Sequence, residues 1–462
     1  MKHAFIQHNG EKRLIVIFAG WGMDQRPFLG LERPGYDIMA VWDYRTLDFD
    51  PSWTEGYGEV CVLAWSMGVQ AAQLCHNAIA GKVTARIAVG GTQRPVDDEC
   101  GIPHEIFSQT LDGLDERSLD RFMRRMCGGA KAYAGFEARR PERDIDGLRH
   151  ELRAIGERCA DDTCAPRFDH YLLTARDAIF PPENQRRAFC GTDIVECDSP
   201  HLPDFQHILD NYFIDKSLVS ERFGRASESY DANAEAQALI ADYMANLLRD
   251  TDSRAILSRK DADVLEVGCG TGLLSRRIAA MKPSARLTYH DISPVAPHGI
   301  DARTYKCCDA ETSMLTQPAK SLDMIISAST MQWFNSPERF VERSIKALRP
   351  GGILAVSTFG RGNMPETAEA SGVGLHLCGA DIWREAVAAM PDAEIMQIST
   401  LSMQCRFDTA IDALRHISLT GVNAISRSGG NARSIAGRML PDENGQYTIT
   451  YEPLFILLRK KP

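Results

Sequence analysis

The sequence lacks a long hydrophobic run, a C-x-x-C cysteine motif and an excess of basic residues, and each absence argues against a class of protein. No uninterrupted apolar segment reaches the roughly 18 residues that span a bilayer, which predicts a cytoplasmic protein without a membrane anchor. The 13 cysteines include no C-x-x-C motif, so we expect reduced thiols, without a disulfide framework or a metal site. The formal net charge of -10 argues against general binding to nucleic acids.

A length of 462 residues predicts two or three domains. The chain contains two series of predicted strands, which indicate two. The first series is RLIVIFAG, YDIMAVWDY, VCVLAW, VTARIAVGG and HYLLTARD. The second is DVLEVGCG, RLTYHDIS, DMIISAST, GGILAVST and YTITYEPLFILLRKK, preceded by one long amphipathic helix, FGRASESYDANAEAQALIADYMANLL. Apolar runs separated by amphipathic stretches predict α/β folds with mostly parallel sheets. We expect domains at residues 1–217 and 218–462, with no Pro/Gly-rich linker between them.

The stretch VCVLAWSMGVQAAQL predicts a strand, a sharp turn and a helix, with Ser66 at the turn. Ala64 and Gly68 are small enough for the close backbone approach that a G-x-S-x-G turn requires, although the first glycine is replaced. Ser66 is therefore either an exposed nucleophile or a residue that hydrogen-bonds locally. The spacing alone does not decide between these roles.

A serine nucleophile needs a histidine to accept its proton and a carboxylate to orient that histidine. Asp177 and His201 follow two late apolar runs, in the chain order serine, acid, histidine. Other acids that remain open for the orienting role are Asp144, Asp146 and Asp198. The backbone N–H groups of Met67 and Trp21 are candidates for an oxyanion hole, with plain packing as the alternative for Trp21.

Four segments, FAGWGMD, LAWSMG, DAIFPPENQ and PHLPDF, resemble the short family of pimeloyl-acyl carrier protein methyl ester esterases over most of residues 1–213. The resemblance implies an α/β-hydrolase domain in which Ser66, Asp177 and His201 form a catalytic triad. It also implies hydrolysis of the methyl ester of a pimeloyl chain on acyl carrier protein.

A helical insertion rich in arginine lies between the first and last strands of this half. Its charges form either a solvated helix face or a cap that meets an acidic carrier protein, since arginine suits carboxylates and phosphates. The candidate contact residues are Arg121, Arg124, Arg125, Arg139, Arg140 and Arg149.

The second half carries a glycine-rich loop of the pattern E-x-G-x-G-x-G after a predicted strand. Its defining residues are Glu266, Gly268, Gly270 and Gly272. The acid would repel the pyrophosphate of a dinucleotide but can pair with an ammonium group, which favours S-adenosylmethionine.

Two further acids follow at the ends of later runs. Asp291 ends RLTYHDIS, where an acid can accept from both ribose hydroxyls, although a nicotinamide cofactor would use an acid there too. Asp309 is placed to accept from the adenine amino group, with a solvated loop residue as the alternative, and Ala310 to pack beside the ring. The segment after DMIIS has no [DN]-P-P-[YF] motif, which disfavours methylation of nucleic-acid bases.

The combination FGRASESYDANA, VLEVGCGTG, DIS, DAE, ISASTMQW and ALRHISLTGVNA resembles the malonyl-acyl carrier protein O-methyltransferases over most of residues 221–460. The resemblance implies a class I Rossmann-like domain that binds S-adenosylmethionine through Glu266, Gly268, Gly270, Asp291 and Asp309. It implies Tyr230 and Gln332 as substrate neighbours.

Together the halves imply a bifunctional enzyme of biotin-precursor synthesis. The malonyl carboxylate is masked as a methyl ester, the chain is elongated, and the ester is then removed. The alternatives are a broad carboxylesterase, or an inactive carrier-binding hydrolase module, fused to a methyltransferase of another small carboxylate.

Overall fold

A computed structural model describes residues 1–158, 168–189, 194–250, 252–294, 296–297, 301–371, 374–375, 377–420 and 432–462. The chain forms two compact units, Met1–Leu209 and Asp210–Pro462. The division falls before the expected boundary at residue 217 and inside a helix, Phe205–Tyr212, which is why no linker composition marks it. Within the described ranges, no helix combines the length and the hydropathy needed to cross a membrane.

The first unit is built on a seven-stranded sheet. Its strands are β1 (Lys2–Gln7), β2 (Arg13–Phe18), β3 (Asp37–Trp42), β4 (Glu59–Trp65), β5 (Val83–Val89), β6 (His170–Thr174) and β7 (Ile194–Cys197). The sheet order is β1-β3-β2-β4-β5-β6-β7, and every neighbouring pair is parallel except β1 with β3. Strands β3, β4 and β5 are buried throughout, as continuous apolar runs predict. Strand β1 was not predicted, because this half-exposed edge strand has no such run.

The helices of the first unit cover the sheet and form an insertion after β5. They are α1 (Gly68–Leu74), α2 (His76–Ile79), α3 (His104–Asp112), α4 (Glu116–Cys127), α5 (Ala130–Glu137), α6 (Ile145–Glu157), α7 (Pro182–Ala188) and α8 (Phe205–Tyr212). Helices α3 to α6 form the insertion. Helix α4 begins with a capping box between Asp115 and Ser118, which satisfies N–H groups that the first turn leaves unpaired.

The second unit has its own seven-stranded sheet and a separate two-stranded one. The strands are β8 (Asp263–Val267), β9 (Arg286–Asp291), β10 (Tyr305–Cys307), β11 (Leu322–Ser327), β12 (Leu348–Phe359), β13 (Ala393–Thr400), β14 (Met403–Phe407), β15 (Tyr447–Tyr451) and β16 (Pro453–Lys460). The large sheet has the order β10-β9-β8-β11-β12-β16-β13, and every neighbouring pair is parallel except the pairs that β16 forms with β12 and β13. The closing run predicted as one strand is two, since β15 pairs with β14 instead.

The helices of the second unit differ from prediction at their start. They are α9 (Lys216–Asn233), α10 (Glu235–Asp250), α11 (Ser253–Leu257), α12 (Leu273–Ala280), α13 (Ala310–Leu315), α14 (Pro337–Ala347), α15 (Pro365–Ser371), α16 (Ala380–Ala388), α17 (Ala410–Leu419) and α18 (Ala432–Ala436). The prediction of one long helix was wrong, because α9 ends at Asn233, whose amide donates to Ser229 O. Asparagine competes in this way with the helical hydrogen bonds. Residues 421–424 of the ALRHISLTGVNA motif lie outside the described residues.

The core of the second unit lies on both faces of its large sheet. Met324 and Ile326 of β11 pack into one apolar cluster, whereas Ile325 packs into another. This alternation places helices on both sides of the strands. It leaves the carboxyl ends of β8, β9 and β11 free to border a cavity.

Candidate functional sites

In the first unit, Ser66 lies at the turn between β4 and α1 in a strained backbone conformation. Its φ is 60°, a left-handed value that costs free energy in a residue with a side chain. Neighbouring backbones approach closely enough to require glycine. A Cβ atom on Gly68 would lie 2.2 Å from Phe18 O, and one on Gly91 would lie 2.2 Å from Ser66 O. This packing holds the serine at the carboxyl edge of the sheet.

The structure brings Ser66, His201 and Asp177 together. His201 Nε2 lies 2.9 Å from Ser66 Oγ, and His201 Nδ1 lies 2.8 Å from Asp177 Oδ2. All three residues are buried. The other acids have different partners: Asp144 caps α6, Asp146 pairs with Arg149, and Asp198 pairs with Arg176.

Asp177 is held by four donors besides the histidine. Its Oδ1 accepts from the backbone N–H groups of Ile179 and Phe180, at 2.8 and 2.9 Å. Its Oδ2 accepts from Thr174 Oγ1 at 2.6 Å and from Gln185 Nε2 at 3.2 Å. These donors hold the buried carboxylate in one orientation toward His201.

The backbone N–H groups of Met67 and Trp21 have no acceptor within the part of the chain that the structure describes. Both residues are buried. The Trp21 indole also packs, since its Nε1 donates to Leu148 O and its ring meets Phe122 edge-on at 5.2 Å. The Trp21 ring therefore has a packing role that is separate from any role of its backbone N–H.

The six arginines of the insertion divide into two groups. Three are engaged by acids of the same unit: Arg124 and Arg140 both contact Asp120, and Arg149 contacts Asp146. The exposed remainder, with no ion pair among the described residues, consists of Arg121, Arg125 and Arg139. The expected cluster of six is thus reduced to three available side chains.

In the second unit, a cavity lies at the carboxyl ends of β8, β9 and β11. The predicted residues that line it are Glu266, Gly268, Gly270, Asp291, Asp309, Ala310 and Tyr230. Gly272 is not among them, because it precedes α12 as its N-cap with a φ of 91°. Gln332 is not among them either, since its Nε2 donates to Ser329 O, and the neighbouring Trp333 lines the cavity instead.

Two glycines of the loop meet a specific need. Gly268 has a φ of 68°, and a Cβ atom there would lie 2.0 Å from Thr330 Oγ1. Gly270 has a φ of 51° with no atom within 4 Å of its ideal Cβ position, and its N–H donates to Asp291 Oδ2 at 2.7 Å. The loop thus keeps its backbone close to the strand ends while leaving open space in front of Gly270.

The cavity acids differ in their hydrogen bonding. Asp291 accepts from two backbone N–H groups, and burial raises its pKa. Glu266 Oε2 is buried without a hydrogen bond to any described residue, and burial raises the pKa of this carboxyl to about 8. Asp309 Oδ1 accepts from Glu311 N and caps α13. An unpaired buried acceptor is costly unless a ligand satisfies it.

The comparisons with known proteins cover both units. A family model described as pimeloyl-ACP methyl esterase BioG matches residues 1–210, and a methyltransferase domain model matches residues 265–356. A malonyl-[acyl-carrier protein] O-methyltransferase of Bacteroides fragilis (strain 638R) is 31% identical over 471 residues, which cover 97% of this chain and 93% of the relative. This chain belongs to the malonyl-[acyl-carrier protein] O-methyltransferase family.

Other similar proteins of this family and its neighbours match one half each. A malonyl-[acyl-carrier protein] O-methyltransferase of Haemophilus influenzae is 29% identical over 53% of this chain and 95% of its own length. A crystal structure of BioG from Haemophilus influenzae is 31% identical and covers 44% of this chain and 94% of its own, with a TM-score of 0.40. Both family resemblances predicted from the sequence are confirmed.

The second unit is a Rossmann-like methyltransferase, and its cofactor is S-adenosylmethionine. The cavity fits this group. Glu266 Oε2, an acceptor left unsatisfied by the residues that the structure describes, suits an ammonium group, and the space before Gly270 is open.

Lys216 and Gln237 are among the cavity residues of this methyltransferase that the sequence motifs did not predict. Lys216 is buried in the first turn of α9, with its Nζ 2.7 Å from Glu311 Oε2 and 3.6 Å from Asp309 Oδ2. Gln237 is buried in the first turn of α10. Neither belongs to a motif with fixed spacing, and only the fold brings them to the cavity.

Proposed function

We propose that the two units catalyse two steps of biotin-precursor synthesis on acyl carrier protein. The second unit methylates the free carboxylate of malonyl-acyl carrier protein. The first unit is an α/β-hydrolase that removes the methyl ester from pimeloyl-acyl carrier protein methyl ester. The single observation that carries the hydrolytic half is His201, which lies within hydrogen-bond distance of both Ser66 and Asp177.

In the proposed hydrolysis, His201 Nε2 accepts the proton of Ser66 as Oγ attacks the ester carbonyl. Asp177 orients the ring and stabilises its charged form. The N–H groups of Met67 and Trp21 donate to the oxyanion of the tetrahedral intermediate. Methanol leaves with the proton from His201, and water then releases the free acid from Ser66 by the same steps.

The proposed methyl transfer needs orientation rather than a base. S-adenosylmethionine supplies an electrophilic methyl group when bound, and a malonyl carboxylate is already ionised near neutral pH. Glu266 is proposed to pair with the ammonium group, Asp291 to accept from the ribose hydroxyls, and Asp309 to accept from the adenine amino group. Phe223 and Trp333, whose rings meet edge-on at 5.5 Å beside the cavity, exclude water.

The two activities oppose each other unless the esterase spares the malonyl ester. Trp21 and Phe122 form an apolar wall at which Trp21 contacts the helical insertion, and a Cβ atom on the preceding Gly20 would lie 3.1 Å from Ser66 Cβ. Each additional methylene that such a wall binds contributes about 1 to 3 kcal/mol of discrimination. A longer acyl chain is therefore the preferred substrate of the first unit.

Reciprocal variants test the assignment. The whole protein is incubated with malonyl-acyl carrier protein plus S-adenosylmethionine, and separately with pimeloyl-acyl carrier protein methyl ester, and each is followed by mass spectrometry. We expect Ser66→Ala to abolish hydrolysis and retain methyl transfer, and Glu266→Gln to impair methyl transfer and retain hydrolysis. Wild-type protein that changes neither substrate would contradict the proposal, and equal turnover of small free esters would favour a broad carboxylesterase.

The three available arginines are proposed to contact the acidic carrier protein. Charge reversal at Arg121 and Arg125 should raise the KM for the carrier-bound ester and leave hydrolysis of a small free ester unchanged. Arg187→Glu is the matched control, because Arg187 is an exposed arginine on α7, outside the insertion. An equal effect of both changes would exclude a specific docking surface.

A further inference from the structure

Gln237 is a buried amide that has no hydrogen-bond partner in the part of the chain that the structure describes. It is 5% exposed and lines the cofactor cavity in the first turn of α10. Its Oε1 is buried without a hydrogen bond, and its Nε2 donates to no acceptor among the described residues. Burial of an unsatisfied amide destabilises a folded protein, so such a group is expected where a ligand completes its hydrogen bonds.

Helix α9 contacts the cavity residues at two places, one near its start and one near its end. At the start of α9, Lys216 lies beside Asp309, the acid proposed for the adenine. Near the end of α9, Asp231 Oδ1 accepts from Thr271 Oγ1 of the glycine loop at 2.5 Å. Gln237 follows this second place in sequence, after the break at Ala234.

The packing of α10 agrees with this position. Ala241, one turn after Gln237, also lines the cavity. It packs in the same apolar cluster as Val264 of β8 and Leu274 of α12. Glu266 lies in β8, and the glycine loop joins β8 to α12, so this packing places α10 against the elements on both sides of that loop.

We propose that Gln237 binds the amino-acid end of S-adenosylmethionine. Its Oε1 accepts from the ammonium group together with Glu266, and its Nε2 donates to the carboxylate. An amide suits this end because it offers one acceptor and one donor to a group that carries both charges. The first turn of α10 adds a partial positive charge that favours the carboxylate. This proposal rests on the placement of Glu266 under the proposed function, and it does not depend on the acyl substrate.

Two ligands separate this role from a general structural one. S-adenosylhomocysteine keeps the ammonium and carboxylate groups, whereas methylthioadenosine lacks both. Calorimetric titration of the full chain with each ligand should show that Gln237→Met weakens S-adenosylhomocysteine by about tenfold to a hundredfold, the usual range for hydrogen bonds to charged groups. The affinity for methylthioadenosine should stay unchanged. Unchanged affinity for S-adenosylhomocysteine, or an equal loss for both ligands, would overturn the proposal.

Thermal unfolding without ligand gives an independent readout. Gln237→Met removes an amide that hydrogen-bonds to none of the described residues, so the unfolding midpoint should be maintained or raised. The matched control is Gln397→Met, because Gln397 Nε2 donates to Ser399 Oγ at 2.9 Å and the residue is outside the cavity lining. That change should lower the midpoint and leave both affinities unchanged. A lower midpoint for Gln237→Met would refute the unpaired state of the amide.

Discussion

The pKa of the buried Glu266 carboxyl makes cofactor binding dependent on pH. Burial raises this pKa to about 8, with nearby Asp291 adding to the increase. At about pH 7, a group with that pKa is roughly nine-tenths protonated in the empty cavity. Pairing with an ammonium group requires the ionised form. Binding should therefore release close to one proton.

The sign and size of the pH effect follow from this linkage. Because the empty site holds a proton that the complex does not, affinity should rise with pH. The rise is about tenfold per pH unit below about pH 7, and it should level off above about pH 8. Without ligand, the same raised pKa means that the folded state binds more protons than the unfolded state. Stability of the empty second unit should then fall as pH increases from about 4.5 towards 8.

Calorimetry in buffers of different ionisation enthalpy measures the released proton directly. S-adenosylhomocysteine is the ligand, because it keeps the ammonium group without transferring a methyl group. Wild-type protein should release about 0.9 proton at about pH 7, and Glu266→Gln should release almost none. Proton release that is absent in wild type, or equal in the variant, would refute the reasoning.

Two further predictions concern residues that hold a buried carboxylate in place. Gln185→Leu removes a side-chain donor to Asp177 Oδ2 and to Phe180 O. It should lower kcat of ester hydrolysis by about tenfold with little change in KM, while methyl transfer continues. A folded variant with the wild-type rate of hydrolysis would contradict this prediction. Lys216→Met removes the buried ion pair between Lys216 and Glu311 and should destabilise the second unit by about 3 to 5 kcal/mol in chemical denaturation. The control Lys346→Met breaks an exposed pair and should cost about 1 kcal/mol or less, and equal losses for the two lysines would refute the distinction.

Local sequence patterns predicted the parts of the sites that depend on backbone geometry. The Ser66 turn and the glycines at 268 and 270 lie where strands end, and their conformations need small residues at fixed spacing. Residues that reach a site only through the fold were not predictable in this way. Lys216 and Gln237 lie in helices outside the quoted motifs, and their roles depend on contacts with distant segments. Gln185 ends the segment DAIFPPENQ, but the pattern did not indicate its contact with Asp177.

Surface charge was the least predictable feature. The arginines of the insertion look equivalent in sequence, but three of them are neutralised by neighbouring acids in the fold. The spacing of Arg124 from Asp120 indicates a helical pair, whereas the contact of Arg140 with Asp120 requires two helices to pack. Composition alone therefore overestimated the surface available for docking.

The position of β16 determines when the large sheet can be completed during synthesis. This strand is inserted between β12 and β13, and it pairs with both. Every other strand of the large sheet leaves the ribosome before it, so the nascent second unit exposes an unpaired edge of β12 until residues 453–460 emerge. Unpaired strand edges are sites of aggregation. The first unit can complete its own sheet before β12 is synthesised. We therefore expect chaperones to bind the newly made second unit, which exposes the unpaired edge of β12.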